Sequence, residues 1–220
     1  MKHFLDRITF FGGLLLAGYV GWGRAKIGRW NASDSEVLER QPGDDVVARP
    51  LMSTTRSVTI QAPPERVWQW LVQIGYGRGG FYSYDVLERA AGLAGLRSAQ
   101  TIEPELQKLK AGDTVAISPV TPMTVAVLKR ARALVLHICM SPFSAEPVEK
   151  NAGQAWMDWS WAFLITPQED GSCRLTSRVR ANYGPYLMLW PLIVLLVEPV
   201  SFVMDHKLLL TVKERAEGSI

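Results

Sequence analysis

The stretch Tyr183–Arg215, YGPYLMLWPLIVLLVEPVSFVMDHKLLLTVKER, limits what this chain can fold into more than any other. By hydropathy, Tyr186–Met204 approaches the roughly 20 apolar residues that cross a bilayer core. Glu198 and Pro199 interrupt the run, where a free-standing span would find a charge and a missing N–H costly. Beyond them Val200, Met204, Leu208 and Val212 follow at i, i+4 and define one stripe of a helix. Asp205, Lys207, Lys213, Glu214 and Arg215 supply its polar remainder. The pattern predicts a long terminal helix, kinked at Pro199. Its stripe lies against a sheet, and Asp205 and Lys213 point outward.

At the other end, Ile8–Trp22 is apolar, with Lys2, His3 and Arg7 before it and Arg24, Lys26 and Arg29 after it. No small-x-small cleavage site follows, and aromatic residues sit at both ends, which predicts a retained single-pass anchor over residues 1–30. The slight excess of basic residues after the run places the rest of the chain in the cytoplasm. Residues 31–52 read as a linker, with Ser33 and Glu36 spaced as a capping box for a short helix over Asp34–Arg40. Residues 53–220 form the domain.

Within that domain, Thr55–Gln61 alternates as a strand, and Pro64–Ile74 has a proline start, an early acid and helical spacing of Val67, Trp70, Leu71 and Ile74. Gly75–Gly80 is a glycine loop, and Tyr84–Leu96 a second helix. Strands are predicted over Asp113–Ser118, Met123–Leu128, Ala133–Met140, Trp156–Thr166 and Cys173–Ala181, with hairpin turns at Lys129–Ala131 and Gln168–Ser172. Ser141–Gln154 is a lid-like loop. The order of strand, two helices, about five antiparallel strands and a terminal helix is α+β.

A net charge of +3 and no basic stripe with interleaved aromatics argue against nucleic acid as a partner. Cys139 and Cys173 match no metal or redox spacing, and three histidines make a multi-histidine metal site improbable, so no metal and no cofactor are expected. Gly75, Gly77 and Gly80 fit G-x-G-x-x-G, but the parallel βαβ setting of a dinucleotide site is missing.

The segments APPERVWQWLVQIG (Ala62–Gly75), GRGGFYSYD (Gly77–Asp85) and EPVSFVMDHKLL (Glu198–Leu209) resemble the START-like, or SRPBCC, helix-grip superfamily. This is the polyketide cyclase/dehydrase and lipid-transport group, here in a membrane-anchored bacterial branch. The resemblance covers roughly Arg56–Glu217. It implies a seven-stranded curved antiparallel sheet gripping the last helix around an apolar cavity. It implies no single function, since members bind or process varied hydrophobic molecules.

Candidate cavity residues follow. Arg78, Tyr82 and Tyr84 stand at the glycine loop, where they would line a cavity mouth. On the strand Trp156–Thr166, Trp159, Trp161, Phe163 and Ile165 share the inward face. Met204 and Leu208 face them from the terminal helix. The alternative for the tryptophans is plain packing on that helix. Asp158 with Arg178 and Arg180 is expected as a surface charge cluster. His137 and Cys139 share a face, too far apart for a dyad. Three functions stay open: a binder of a hydrophobic small molecule or lipid at the membrane, a cyclase/dehydrase-type enzyme, and a structural protein with a filled cavity. A buried titratable pair in the cavity separates enzyme from binder; none is legible here.

Overall fold

Six antiparallel strands make one sheet: β1 (Met52–Ile60), β2 (Thr114–Ser118), β3 (Thr121–Lys129), β4 (Ala133–Met140), β5 (Trp156–Pro167) and β6 (Cys173–Gly184), in the order β1-β6-β5-β4-β3-β2. The computed structural model describes residues 18–84 and 98–218. Helical segments are α1, a π-helical turn Tyr19–Gly23 continued by Arg24–Gly28; α2 (Asp34–Leu38); α3 (Pro64–Val72); and α4, Tyr186–Glu217. The molecule is α+β, a curved antiparallel sheet around a long C-terminal helix. The seventh strand that the resemblance implies is absent among the described residues. The predicted helix Tyr84–Leu96 and most of the predicted anchor Ile8–Trp22 lie outside the described residues.

The hairpins form where the turn chemistry puts them. Arg132 N–H closes on the Lys129 carbonyl, and Gly171 takes φ +83° in the turn where Gln168 N–H meets the Ser172 carbonyl. Helix α3 starts behind Pro63 with Pro64 in its first turn, and buries Val67, Trp68, Trp70, Leu71 and Val72. Gly75 and Gly80 bridge each other, so the glycine run turns the chain back from α3. The sheet it faces is antiparallel throughout, which removes the dinucleotide reading.

Both faces of the sheet are covered. Helices α3 and α4 bury the concave face, with Leu208, Leu209 and Val212 of α4 at 1% exposure or less. The convex face carries a second apolar cluster of Ala133, Val135, Ala162 and Leu164, roofed by Val46. Residues 31–52 are therefore a strap and not a free linker. Its helix α2 has the expected capping box, Ser33 Oγ accepting from Glu36 N–H and Glu36 Oε2 from Ser33 N–H at 2.8 Å. Gly43 holds φ +89°, and a Cβ there would stand 2.7 Å from a Val135 methyl carbon, so strap and sheet meet at a position only glycine fits.

The strap corrects the expected surface cluster. Arg178 and Arg180 point to the convex side, but Arg178 Nη2 donates to Asp44 Oδ2 at 3.1 Å and Arg180 Nε to the Val47 carbonyl at 3.0 Å. Asp158 joins neither of them. It accepts from Lys150 Nζ and pairs with His137 Nε2, both at 2.8 Å. Burial pushes the Asp158 carboxyl up, but those two neighbours outweigh it and hold the group below the usual carboxylate range.

Contacts also run across residue 30, the expected end of the anchor. Ser57 N–H donates to the Trp30 carbonyl and Arg56 Nε to the Ile27 carbonyl at 2.9 Å. Tyr19 Oη donates to the Val194 carbonyl at 3.0 Å, and Arg24 makes a two-pronged pair with Glu198, both contacts 2.6 Å. The acid that makes a solitary span costly is thus neutralised by a second helix.

Candidate functional site

A cavity of about 280 Å³ opens between the concave sheet and α4, with Phe81, Ile117, Trp159, Trp161, Met204 and Leu208 among its walls. A second chamber of about 440 Å³ adjoins it; Trp159, Val179, Ser201 and Met204 stand in the walls of both. The second is flanked by Leu192, Ile193, Leu196, Val197 and Val200 of α4 on one side and by Ser141, Pro142 and Ala145 of the β4–β5 loop on the other. That loop is the segment expected to act as a lid. It is pinned by Val148 N–H on the Cys139 carbonyl and by Lys150 on Asp158.

The aromatic wall comes from the alternation of β5. Trp159 and Trp161 stack with centroids 6.2 Å apart, Trp161 leans on Phe163 at 4.7 Å, and Phe81 stacks on Trp161 at 6.4 Å. Phe163 is fully buried behind this surface. Met204 and Leu208 close the cavity from α4.

The three glycine-loop residues stand elsewhere. Arg78 donates to the carbonyls of Val72 (2.8 Å), Leu106 (3.2 Å) and Ile74 (3.3 Å), so its guanidinium ties α3 to the turn Pro104–Gln107, and it is in the wall of neither chamber. Orphan carbonyls at a helix C-terminus draw a cation in this way. Tyr82 is 1% exposed with φ +56°, and its hydroxyl donates to the Trp70 carbonyl at 3.0 Å. Burial pushes its pKa up to about 12. Arg215 lies 4.5 Å over its ring, on the face of the domain shared by α3 and α4. Tyr84 is exposed.

The charged group at the cavity is one the sequence reading turned outward. Asp205 is 4% exposed and lines the first chamber. Its Oδ2 accepts from Arg56 Nη1 at 3.0 Å and its Oδ1 from the Ser177 hydroxyl at 2.7 Å. Trp161 Nε1 in turn donates to Ser177 Oγ at 3.0 Å, so the aromatic wall and the carboxylate share one network. Arg56 itself is 0% exposed and also reaches the Ser201 hydroxyl at 3.2 Å. Arg56, Ser177, Phe163 and Leu134 face one another across β1, β6, β5 and β4 in a single row of the concave face.

Two signals point to this pair. Met52, Thr54, Arg56, Val58 and Ile60 share one phase of β1, so Arg56 faces the core with Val58 and Ile60. The α4 stripe is the other. A strict i+4 row drifts by about 40° per step around a helix of about 3.6 residues per turn. Val200 is therefore exposed while Val212 is buried. The face that stays inward is Ser201, Asp205, Leu208 and Val212.

No protein-family model matches the sequence, and no curated protein matches it significantly. Solved structures with a similar arrangement include a protein from Nitrosospira multiformis, at 12% identity and TM-score 0.43, covering 76% of this chain and 98% of that one. A Polyketide_cyc-like protein from Corynebacterium glutamicum shows 14% identity and TM-score 0.41, covering 76% and 92%. CalU16 from Micromonospora echinospora shows 11% and 0.34, covering 75% and 84%. At such identities the topology seen in this molecule carries the assignment: one antiparallel sheet curved around a long C-terminal helix, the helix-grip fold that its sequence resembles.

Proposed function

We propose that this protein binds a hydrophobic small molecule or lipid in the grip cavity, at a membrane to which the apolar segment Ile8–Trp22 anchors it. The observation that carries the reading is the pair of adjoining chambers of about 280 and 440 Å³ that share Trp159, with Trp161 in the wall of the first. Pockets for drug-sized ligands run to roughly 300–1,000 Å³ and are mostly apolar with a few placed polar groups. A filled, purely structural grip would leave no such space. Trp159, Trp161, Met204 and Leu208 form the apolar walls in this reading, and the Asp205–Ser177 pair is the polar end that orients a ligand.

The test is native mass spectrometry of the purified full-length chain in mild detergent. A noncovalent apolar species is expected on the wild type and is lost on Met204→Trp, which fills the space shared by both chambers. Absence of any adduct, together with no tryptophan fluorescence response to added fatty acid or polycyclic probes, overturns the reading.

A second reading, a cyclase/dehydrase-type enzyme, is favoured by one observation: a carboxylate, Asp205, in the wall of a mostly apolar chamber. Both of its oxygens are already engaged, by Arg56 and Ser177. Such an arrangement orients a ligand more readily than it moves a proton. Turnover of the molecule recovered from the wild type, abolished by Asp205→Asn with binding retained, distinguishes the enzyme.

A further inference from the structure

The structure assigns a second membrane contact besides the predicted anchor: the paired helices α1 and the first half of α4 form a bilayer-docking face, and the second chamber of the cavity lies directly behind it. The inference rests on the ligand-binding reading for its purpose, but not for its geometry. Leu187 (87% exposed), Met188, Leu195, Leu196 (55%), Val200 and Val203 stand in solvent on this part of α4. From Tyr186 to Val203 the one charged residue is Glu198, which is buried against Arg24. A stable soluble surface does not carry so continuous an apolar strip without an occupant.

The occupant is a lipid bilayer with anionic headgroups, on three grounds. First, the strip is one-sided: Leu189, Ile193 and Val194 of the same turns are buried against the domain. An interfacial helix has this division, its apolar face sinking about 5–10 Å toward the acyl chains. Second, the neighbouring α1 supplies an aromatic and basic edge. Trp22 is 69% exposed with Lys26 Nζ 5.5 Å over its ring, and Arg29, one turn on, is exposed and paired with Asp34. Such an edge sits at the headgroup level. Third, α1 continues the apolar run that begins at Ile8, so the chain that leads into this face is itself suited to lipid.

The face also has a floor. Leu192, Ile193, Leu196, Val197 and Val200 separate the second chamber from this surface. Phe143, 69% exposed, projects from the loop that supplies Ser141, Pro142 and Ala145 to the opposite wall of that chamber. A hydrophobic molecule passing between these two walls enters from the acyl-chain phase without crossing water. The Arg24–Glu198 pair holds α1 and α4 together while leaving no net charge at the seam.

The experiment places nitroxide labels at Leu187→Cys, Leu196→Cys and Arg130→Cys in a Cys139→Ser background of the full chain. The protein is reconstituted in vesicles of mixed phosphatidylcholine and phosphatidylglycerol. Oxygen, which concentrates in the acyl chains, should broaden the signals at 187 and 196 severalfold more than a water-soluble nickel chelate does. At 130, in the β3–β4 turn, the order should reverse. Nickel access dominating at 187 and 196 overturns the docking face. So does access by neither reagent, which would mean that residues 1–17 or a second copy of the chain covers it. Native mass spectrometry of the unlabelled protein separates the two readings. Lipid contact at 187 and 196 with an empty cavity sinks ligand binding alone; a filled cavity with water contact at both labels sinks docking alone.

Discussion

Asp205 shows how much one side chain decides. Arg56 is fully buried, and among the described residues Asp205 is its only carboxylate partner. Removing one member of a buried pair leaves a stranded charge and costs about 3–5 kcal/mol, whereas replacing both by apolar groups of similar size is often neutral. Asp205→Ala should therefore lower the urea midpoint sharply, and Arg56→Met with Asp205→Leu should recover most of the loss. If the single and double variants unfold at the same midpoint, the pair is not what holds this row together. Glu36 gives a pH-dependent counterpart on the convex face. Burial pushes its carboxyl up, but Arg174, the Ser33 N–H and the Thr176 hydroxyl outweigh that and bring it down to about 2. A folded pKa below the unfolded one adds stability that is present above about pH 4.3 and disappears as pH falls toward the folded value. Stability measured by tryptophan fluorescence should thus drop between about pH 4.3 and 2. Glu36→Gln should flatten that part of the profile while lowering stability at neutral pH.

At the level of elements, α4 is two helices in function. Its C-terminal half is gripped: Leu208 and Val212 are fully buried, and Leu208→Ala should cost about 2–5 kcal/mol as a core deletion. Its polar side is more engaged than the sequence reading holds. Lys213 Nζ donates to the Thr59 carbonyl at 2.8 Å and to Glu217 at 2.6 Å, tying the helix to the end of β1. Lys213→Glu is then more than an exposed charge reversal. It removes two hydrogen bonds at about 0.5–1.5 kcal/mol each and sets a carboxylate beside a carbonyl and Glu217. A loss above about 1 kcal/mol in chemical unfolding is expected; a loss within about 0.5 kcal/mol would return Lys213 to the ordinary surface. The N-terminal half of α4 carries Pro191 in a helix and a π-helical turn, Ile193–Val197, just before Pro199. The irregularity falls between two prolines that withhold N–H donors, and the helix runs on through Pro199.

The described molecule is a sheet clad on both sides, with residues 19–30 built in. Residues 19–30 contribute the Arg24–Glu198 pair, the Ile27 carbonyl for Arg56 and the Trp30 carbonyl for Ser57, and Trp30 packs edge-on against His206 at 4.4 Å. A chain beginning at Gly18 should keep the full unfolding midpoint in detergent. One beginning at Ser33 should lose several degrees, because Glu198 is left buried without its cation and Arg56 without one acceptor. Equal midpoints for the two would make residues 19–32 a tether and no part of the fold.

Strands, hairpin turns, the capping box and the inward phase of Trp159 and Trp161 were legible in the sequence. Each depends on neighbours in the chain: period-two alternation, glycine at positive φ, a serine three residues before a glutamate. The clasp of sheet and terminal helix was legible for the same reason, since an amphipathic helix after a run of strands has one apolar surface to cover. Arg178 and Arg180 read as solvent-facing because alternation reports two faces but not what lies on them; the strap buries the second. Asp205 read as outward because a polar side chain is costly in a core unless paired, and its partner Arg56 is distant in sequence and meets it only once β1 and α4 pack. The α1–α4 seam has the same origin: Glu198 looks unfavourable alone and Arg24 reads as a flank of the anchor, and only the folded chain brings their opposite charges to 2.6 Å.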